Sequence, residues 1–131
     1  MDLDRKVQMI RVGGKLFPCS TSLTMSFIGG KWKSAILFHL KDGEKRYNEL
    51  RKEMPTVTER TLSLQLKQME SDGLVSRKVY TKKPPLKVVY KLTSFGEAFI
   101  PILESITKIG NEIASEKGEI IQMSLSEVKD I

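Results

Sequence analysis

Hydrophobic spacing changes character several times along the chain, and the clearest stretch lies between Glu59 and Ser71. There Leu62, Leu66 and Met69 recur at i, i+4 and i+7, the spacing of one buried helical face. Thr58 is a good N-cap residue and Gly73 a good stop, so the pattern predicts a helix between them. The shorter run Asn48 to Met54 predicts a preceding helix ended by Pro55, which lacks the N–H a helix interior needs. The segment PTVT turns the chain between the two. The outward face of the second helix carries Arg60, Ser63, Leu64, Lys67 and Ser71. Two helices joined by a short turn, the second polar on its outer face, fit a helix-turn-helix, whose second helix enters the DNA major groove. An amphipathic surface helix in a small α-rich domain would leave the same pattern.

Past Gly73 the period shortens from helical to extended. Leu74 to Thr81 and Leu86 to Leu92 are rich in β-branched and aromatic residues and predict two strands, joined by the loop Lys82-Lys83-Pro84-Pro85. Arg77, Lys78, Lys82, Lys83 and Lys87 put cations on this hairpin, which after such a helix pair reads as a wing holding phosphates. The alternative is a charged edge hairpin that resists aggregation. From Ser94 the helical period returns. Ser94 and Glu97 have capping-box spacing, and Phe95, Phe99, Ile102, Ile106, Ile109 and Ile113 repeat at steps of four and three. Ala98, Leu103 and Gly110 widen that stripe, and Pro101 should bend the helix or shift its hydrogen bonds. The stripe packs either on its own domain or on the same helix of a second chain, and the second option is preferred because a two-fold dimer doubles the DNA contacts.

The first half is less regular. Residues 1–18 predict a short strand or hairpin turning at Gly13-Gly14. Ser20 or Thr21 can cap a short helix running to Ile28, with Met25, Phe27 and Ile28 as core contacts. Lys31 to Lys41 predicts a helix buried through Trp32, Ile36, Leu37 and Leu40 and closed by Asp42-Gly43. Lys45-Arg46-Tyr47 could add a small strand. The tail after Gly118 has a weaker pattern, a strand or short helix packed late or partly disordered. The expected division is an arm over residues 1–18, a DNA-binding and dimerisation domain over 19–116, and a tail over 117–131.

Composition narrows the choice. A chain of 131 residues suffices for one domain with a core, and 22 Lys plus Arg against 16 Asp plus Glu give a net charge of +6, which favours a polyanionic partner. No apolar run is long enough to span a bilayer and no signal peptide is evident, so a cytoplasmic protein without membrane contact is expected. One cysteine, Cys19, and one histidine, His39, rule out an intramolecular disulfide and leave no zinc ligand set within the chain. His39 lies in an apolar helical run, where a packed or edge histidine is expected. No phosphate loop or nucleophile constellation is visible, so neither an enzyme nor a bound cofactor is expected.

These residues resemble the HxlR-type winged-helix transcriptional regulators, which stand beside the MarR type. The resemblance rests on Cys19, IGGKW (Ile28 to Trp32), AILFHLKDG (Ala35 to Gly43), RYNELRKEMP (Arg46 to Pro55), ERTLSLQLKQMESDGLVSR (Glu59 to Arg77), VYTKKPPLKVVYKLTSFG (Val79 to Gly96) and the Pro101 helix to Gly110. It implies an α+β winged helix-turn-helix with a two-stranded wing, N- and C-terminal dimerisation helices, and a homodimer on a roughly palindromic operator. In some relatives the cysteine at the position of Cys19 senses oxidants or electrophiles. Ser20 replaces a frequent proline, Ile109 a frequent tryptophan, and Leu64 a usually polar residue.

The expected function is that of a bacterial transcription factor and repressor. Thr58, Arg60, Thr61, Ser63, Leu64 and Lys67 would meet the major groove, Arg60 as a bidentate guanine contact worth about 1–3 kcal/mol of discrimination. Cys19 is either a reduced, half-buried packing thiol or a sensor whose thiolate is favoured at a helix N-terminus. The different class is a winged helix that grips a protein rather than DNA, which would need more apolar area than Leu64 alone. The operator, the regulated genes and any small-molecule effector are not legible.

Overall fold

The computed structural model describes residues 2–128. It opens with a hairpin in which β1 (Ile10–Val12) and β2 (Lys15–Phe17) pair antiparallel, Ile10 opposite Phe17. Gly13 and Gly14 turn it at φ 55° and 77°, two successive positive values that residues with a Cβ rarely adopt. The cap of α1 (Ser20–Ile28) is neither Ser20 nor Thr21. Cys19 holds the extended N-cap position, and its Sγ accepts the Ser22 N–H at 3.5 Å. Only the last turn of α1 reaches the core, through Ile28 and, at the margin, Phe27. Met25, expected inside, is 48 % exposed, because the middle of this edge helix is uncovered in the single chain.

Trp32 is the N-cap of α2 (Lys33–His39), so this helix is shorter at both ends than its apolar pattern implied. Ile36, Leu37 and Leu40 are buried, whereas Trp32 is only half-buried against them. β3 (Lys45–Arg46) runs directly into α3 (Tyr47–Glu53), and α4 (Glu59–Ser71) follows the PTVT turn. Thr58 caps α4 by accepting the Thr61 N–H at 3.1 Å, and Gly73 leaves the helix at φ 79°. Leu62, Leu66 and Met69 are fully buried in one cluster with Ile36, Leu37, Leu50 and Leu103. The helical period of the sequence and the core therefore coincide.

β4 (Val75–Val79) and β5 (Val88–Leu92) form the wing hairpin, and β5 lies between β3 and β4 in a three-stranded antiparallel sheet. Both strands are shorter than the alternation predicted. Pro84 and Pro85 have no N–H for a ladder, and side-chain bonds replace it at the tip. The Thr81 hydroxyl donates to the Pro85 carbonyl and accepts the Lys87 N–H, each at 3.1 Å.

The final helical region is interrupted. Thr93, not Ser94, caps α5 (Ser94–Glu97) by accepting the Gly96 N–H at 3.1 Å. The same hydroxyl donates toward the carbonyl oxygens of Gly73 and Leu74, at 2.5 and 3.1 Å. After a turn at Ala98-Phe99, α6 (Ile100–Lys117) begins with Pro101 in its first turn, where a missing N–H breaks no bond. Pro101 thus starts a helix rather than bending one. Phe99 sits in the interruption and is 4 % exposed, packed in its own chain's core with Leu103, so it departs from the stripe expected to face a second chain. Ile102, Ile106, Ile109 and Ile113 remain 43–56 % exposed along α6. In the tail, α7 (Leu125–Val128) is a short, mostly exposed helix, and the expectations for residues 1 and 129–131 lie outside the described residues.

A Cβ on Gly96 would overlap the Leu74 carbonyl oxygen, which belongs to backbone and cannot swing away. Gly96→Ala should therefore lower stability by about 1–3 kcal/mol, read as a lower urea midpoint at unchanged m-value. Ser94→Ala, one residue past the cap, should stay within about 0.5 kcal/mol of the parent. Equal midpoints for Gly96→Ala and the parent would show that the junction has slack.

Candidate nucleic-acid interface

The geometry of the reading face follows from how α4 is anchored. Its buried stripe fixes its rotation, which turns Arg60, Ser63, Leu64 and Lys67 outward, all exposed. The six residues expected to meet DNA are not equivalent. Thr58 is engaged as the cap and also donates to the Thr61 hydroxyl at 2.9 Å, and Thr61 is half-buried. Ser63 lies 3.0 Å from the Tyr47 hydroxyl, which itself donates to the Glu59 carbonyl at 3.2 Å. Among the described residues Arg60, Leu64 and Lys67 have no such internal engagement; Leu64 is 51 % exposed and is the large apolar group on this face.

The wing cations separate into groups. In an antiparallel pair, residues directly opposite share a face. Tyr80 donates its N–H to the Lys87 carbonyl at 2.8 Å, extending the hairpin past β4. The ammonium groups of Lys78 and Lys87 sit 4.7 and 4.8 Å from the centre of the exposed Tyr80 ring, so the aromatic face holds both. Lys82 and Lys83 stand exposed in the loop beyond. Arg77 pairs with Tyr90 of β5 and points to the other side of the sheet from Lys78.

That side is a cleft of about 430 Å³ between the helix pair and the wing, lined by Arg46, Tyr47, Asn48, Ser63, Arg77 and Tyr90 among others. The sequence reading did not single out Arg46, Tyr47 or Asn48. The signal was the tripeptide Lys45-Arg46-Tyr47, read only as a small strand. Tyr47 is the brace of the motif, tying the start of α3 to the first turns of α4.

Other charges are occupied. The Lys45 ammonium binds both Glu53 carboxylate oxygens, at 2.5 and 2.6 Å, and His39 Nδ1 lies 3.3 Å from the same group. The Lys45 hydrogen bond, with a smaller contribution from His39, holds the Glu53 carboxyl below its ordinary range. His39 is accordingly a half-buried edge histidine with an acid partner. Arg51 pairs with Glu59 at 3.1 Å. Cys19, the N-cap of α1, is exposed rather than half-buried. Its thiol pKa is lowered, chiefly by the Ser22 hydroxyl at 3.4 Å and next by the Ser22 N–H. Among the described residues no helix is long and apolar enough to cross a membrane.

Comparison with known proteins agrees with this architecture. The chain matches the family described as HxlR-like helix-turn-helix over residues 27–118. It is 49 % identical over 85 residues to the uncharacterized HTH-type transcriptional regulator YdeP of Bacillus subtilis, spanning 65 % of this chain and 66 % of that protein. It is 41 % identical over 113 residues to YkvN, described likewise and from the same organism, spanning 82 % and 95 %. Among solved structures, the redox regulator HypR in its oxidized form superposes with a TM-score of 0.67 at 44 % identity, covering 72 % of this chain and 96 % of that one. The reduced form of the transcriptional regulator YodB from B. subtilis superposes with a TM-score of 0.60 at 28 % identity, covering 77 % and 98 %. Model match, identity and winged-helix architecture converge: this chain belongs to the HxlR-like helix-turn-helix family.

Proposed function

We propose that the protein is a sequence-specific transcription regulator, a repressor that binds a palindromic operator as a homodimer and loses or changes that binding when Cys19 is oxidised. The observation that carries the DNA reading is an outward α4 face, with Arg60 and Lys67 exposed and without an acid partner among the described residues, beside a cationic wing that borders the same cleft as Ser63 of α4. The relatives described as transcriptional regulators support it. A protein-gripping surface would need apolar area that this face lacks beyond Leu64.

Support for the dimer comes from α6. Ile102, Ile106, Ile109 and Ile113 present a row of half-exposed isoleucines, which a single chain leaves in water. Phe95 extends it toward α1 through edge-on contacts with Phe27 and Phe99, ring centres 5.2 and 5.3 Å away. Support for the sensor comes from an exposed thiol with a lowered pKa at a helix N-cap, together with the likeness to a protein described as a redox regulator.

In a gel-shift titration, Lys82→Ala/Lys83→Ala should weaken binding equally on all duplexes and flatten the plot of log K against log salt by about 1–2 units; an unchanged slope argues against phosphate contact by the wing. Sedimentation should give a dimer for the parent and a monomer of unchanged melting temperature for Ile106→Glu; a parent that sediments as one chain removes the two-fold model. The pH midpoint for alkylation of Cys19 should lie below that of a free cysteine, because its folded pKa is lowered, and should move up in Ser22→Ala. Operator binding indifferent to oxidant in both the parent and Cys19→Ser would eliminate the sensor.

A further inference from the structure

The outward face of α4 carries one residue to which phosphate binding gives no task. Of the six side chains expected in the major groove, Thr58, Thr61 and Ser63 are bonded within the helix pair, so reading falls to Arg60, Leu64 and Lys67. At about 100° per residue, Leu64 stands roughly opposite the mean direction of the buried Leu62, Leu66 and Met69. It tops the ridge that α4 turns away from the core, near mid-helix, and it is exposed. Arg60 one turn before and Lys67 one turn after share that side of the helix. The exposed isoleucines of α6 form a row that a second chain can cover, whereas Leu64 is the large apolar side chain of an otherwise polar face.

The chemistry of that side chain selects what it can recognise. An isobutyl group neither donates nor accepts a hydrogen bond. Pressed against the major-groove edge of a guanine, adenine or cytosine, it would strip water from polar atoms and leave them unpaired, at a cost. The apolar group that the groove presents is the C5-methyl of thymine. We propose that Leu64 reads the C5-methyl group of one thymine in each operator half-site, and by the same contact rejects the other three bases there. This rests on the DNA-binding reading above. The helix rises about 1.5 Å per residue and the duplex about 3.4 Å per base, so the four residues from Arg60 to Leu64 span about two base steps. The thymine should therefore lie within about two base pairs of the base that Arg60 contacts. Cations of the wing hold any sequence, whereas Leu64 adds preference without adding charge.

The test is fluorescence anisotropy with the full chain and a duplex selected for tight binding from a random pool. Each thymine in turn is replaced by deoxyuridine, which removes only the methyl group. At one position in a half-site the replacement should weaken the parent about four-fold, the worth of one buried methyl, and should leave Leu64→Ala unaffected. Leu64→Ala should bind the unmodified duplex more weakly than the parent but with the parent's log–log salt slope, because no phosphate contact is lost. Leu64→Met, which keeps an apolar tip, should retain the uridine penalty, so a folding defect cannot be mistaken for a lost contact. Leu64→Asn, reselected on the random pool, should exchange thymine for adenine at that position. A parent indifferent to uridine at every thymine would overturn the methyl contact and leave DNA binding standing. So would a uridine penalty of equal size in the parent and Leu64→Ala. A parent that retains no duplex at low salt would instead overturn the DNA reading itself.

Discussion

The arrangement of this molecule depends on the hydrogen bonds at Thr93. One side chain there joins the backbone just past α4, at the start of β4, to the first turn of α5. Its hydroxyl engages the carbonyls of Gly73 and Leu74 and accepts the Gly96 N–H, while its backbone N–H donates to the Leu74 carbonyl at 3.1 Å. Gly73 supplies the positive φ that lets α4 stop and β4 begin at once, and Gly96 supplies the absence of a Cβ that lets α5 lie against Leu74. A looser junction would leave α4 and the wing each intact but without a fixed angle between them.

Net charge says less than where the unpaired charge stands. The excess of six cations over the chain would favour any polyanion. Lys45 and Arg51 are tied to Glu53 and Glu59, and these pairs are exposed enough for water and salt to screen them, so their role is chiefly to occupy charge. Arg60, Lys67, Arg77, Lys82 and Lys83 on the helix-turn-helix and wing have no acid partner among the described residues, as is also true of cations elsewhere such as Arg11, Lys15, Lys33 and Lys108. Lys78 and Lys87 are held by the Tyr80 ring, which positions the ammonium groups while leaving their charge uncancelled.

Much of the fold was legible because period and punctuation agreed. Leu62, Leu66 and Met69 gave α4 its buried face, and Thr58 and Gly73 gave it its ends. Where several residues could serve as a cap, the sequence could not choose. Cys19 stands where Ser20 or Thr21 was expected, and Thr93 where Ser94 was, because tertiary partners decide which residue is extended. The interruption at Ala98-Phe99 was hidden for the same reason. Phe99 keeps the stripe's spacing, yet the turn before Pro101 places it in the core. In the candidate site, outward α4 residues were readable from periodicity, but Arg46, Tyr47 and Asn48 were not. Their relevance arises from the sheet, which brings β3 beside β5 across a long sequence separation.

The junction also gives the proposed dimer its mechanical meaning. α6 follows α5 after one turn, and Phe99 and Leu103 lock its start into the same core that holds Leu62 and Leu66 of α4. The exposed isoleucines of α6 and the outward residues of α4 are therefore carried on helices that pack into one core. If two such units met through their α6 rows, the separation of their α4 helices would be set by packing rather than by a flexible linker. Operator half-sites are recognised only when that separation matches the helical repeat of DNA, about 34–36 Å or a multiple. Cys19 caps α1, and Phe27 of that helix contacts Phe95 of α5.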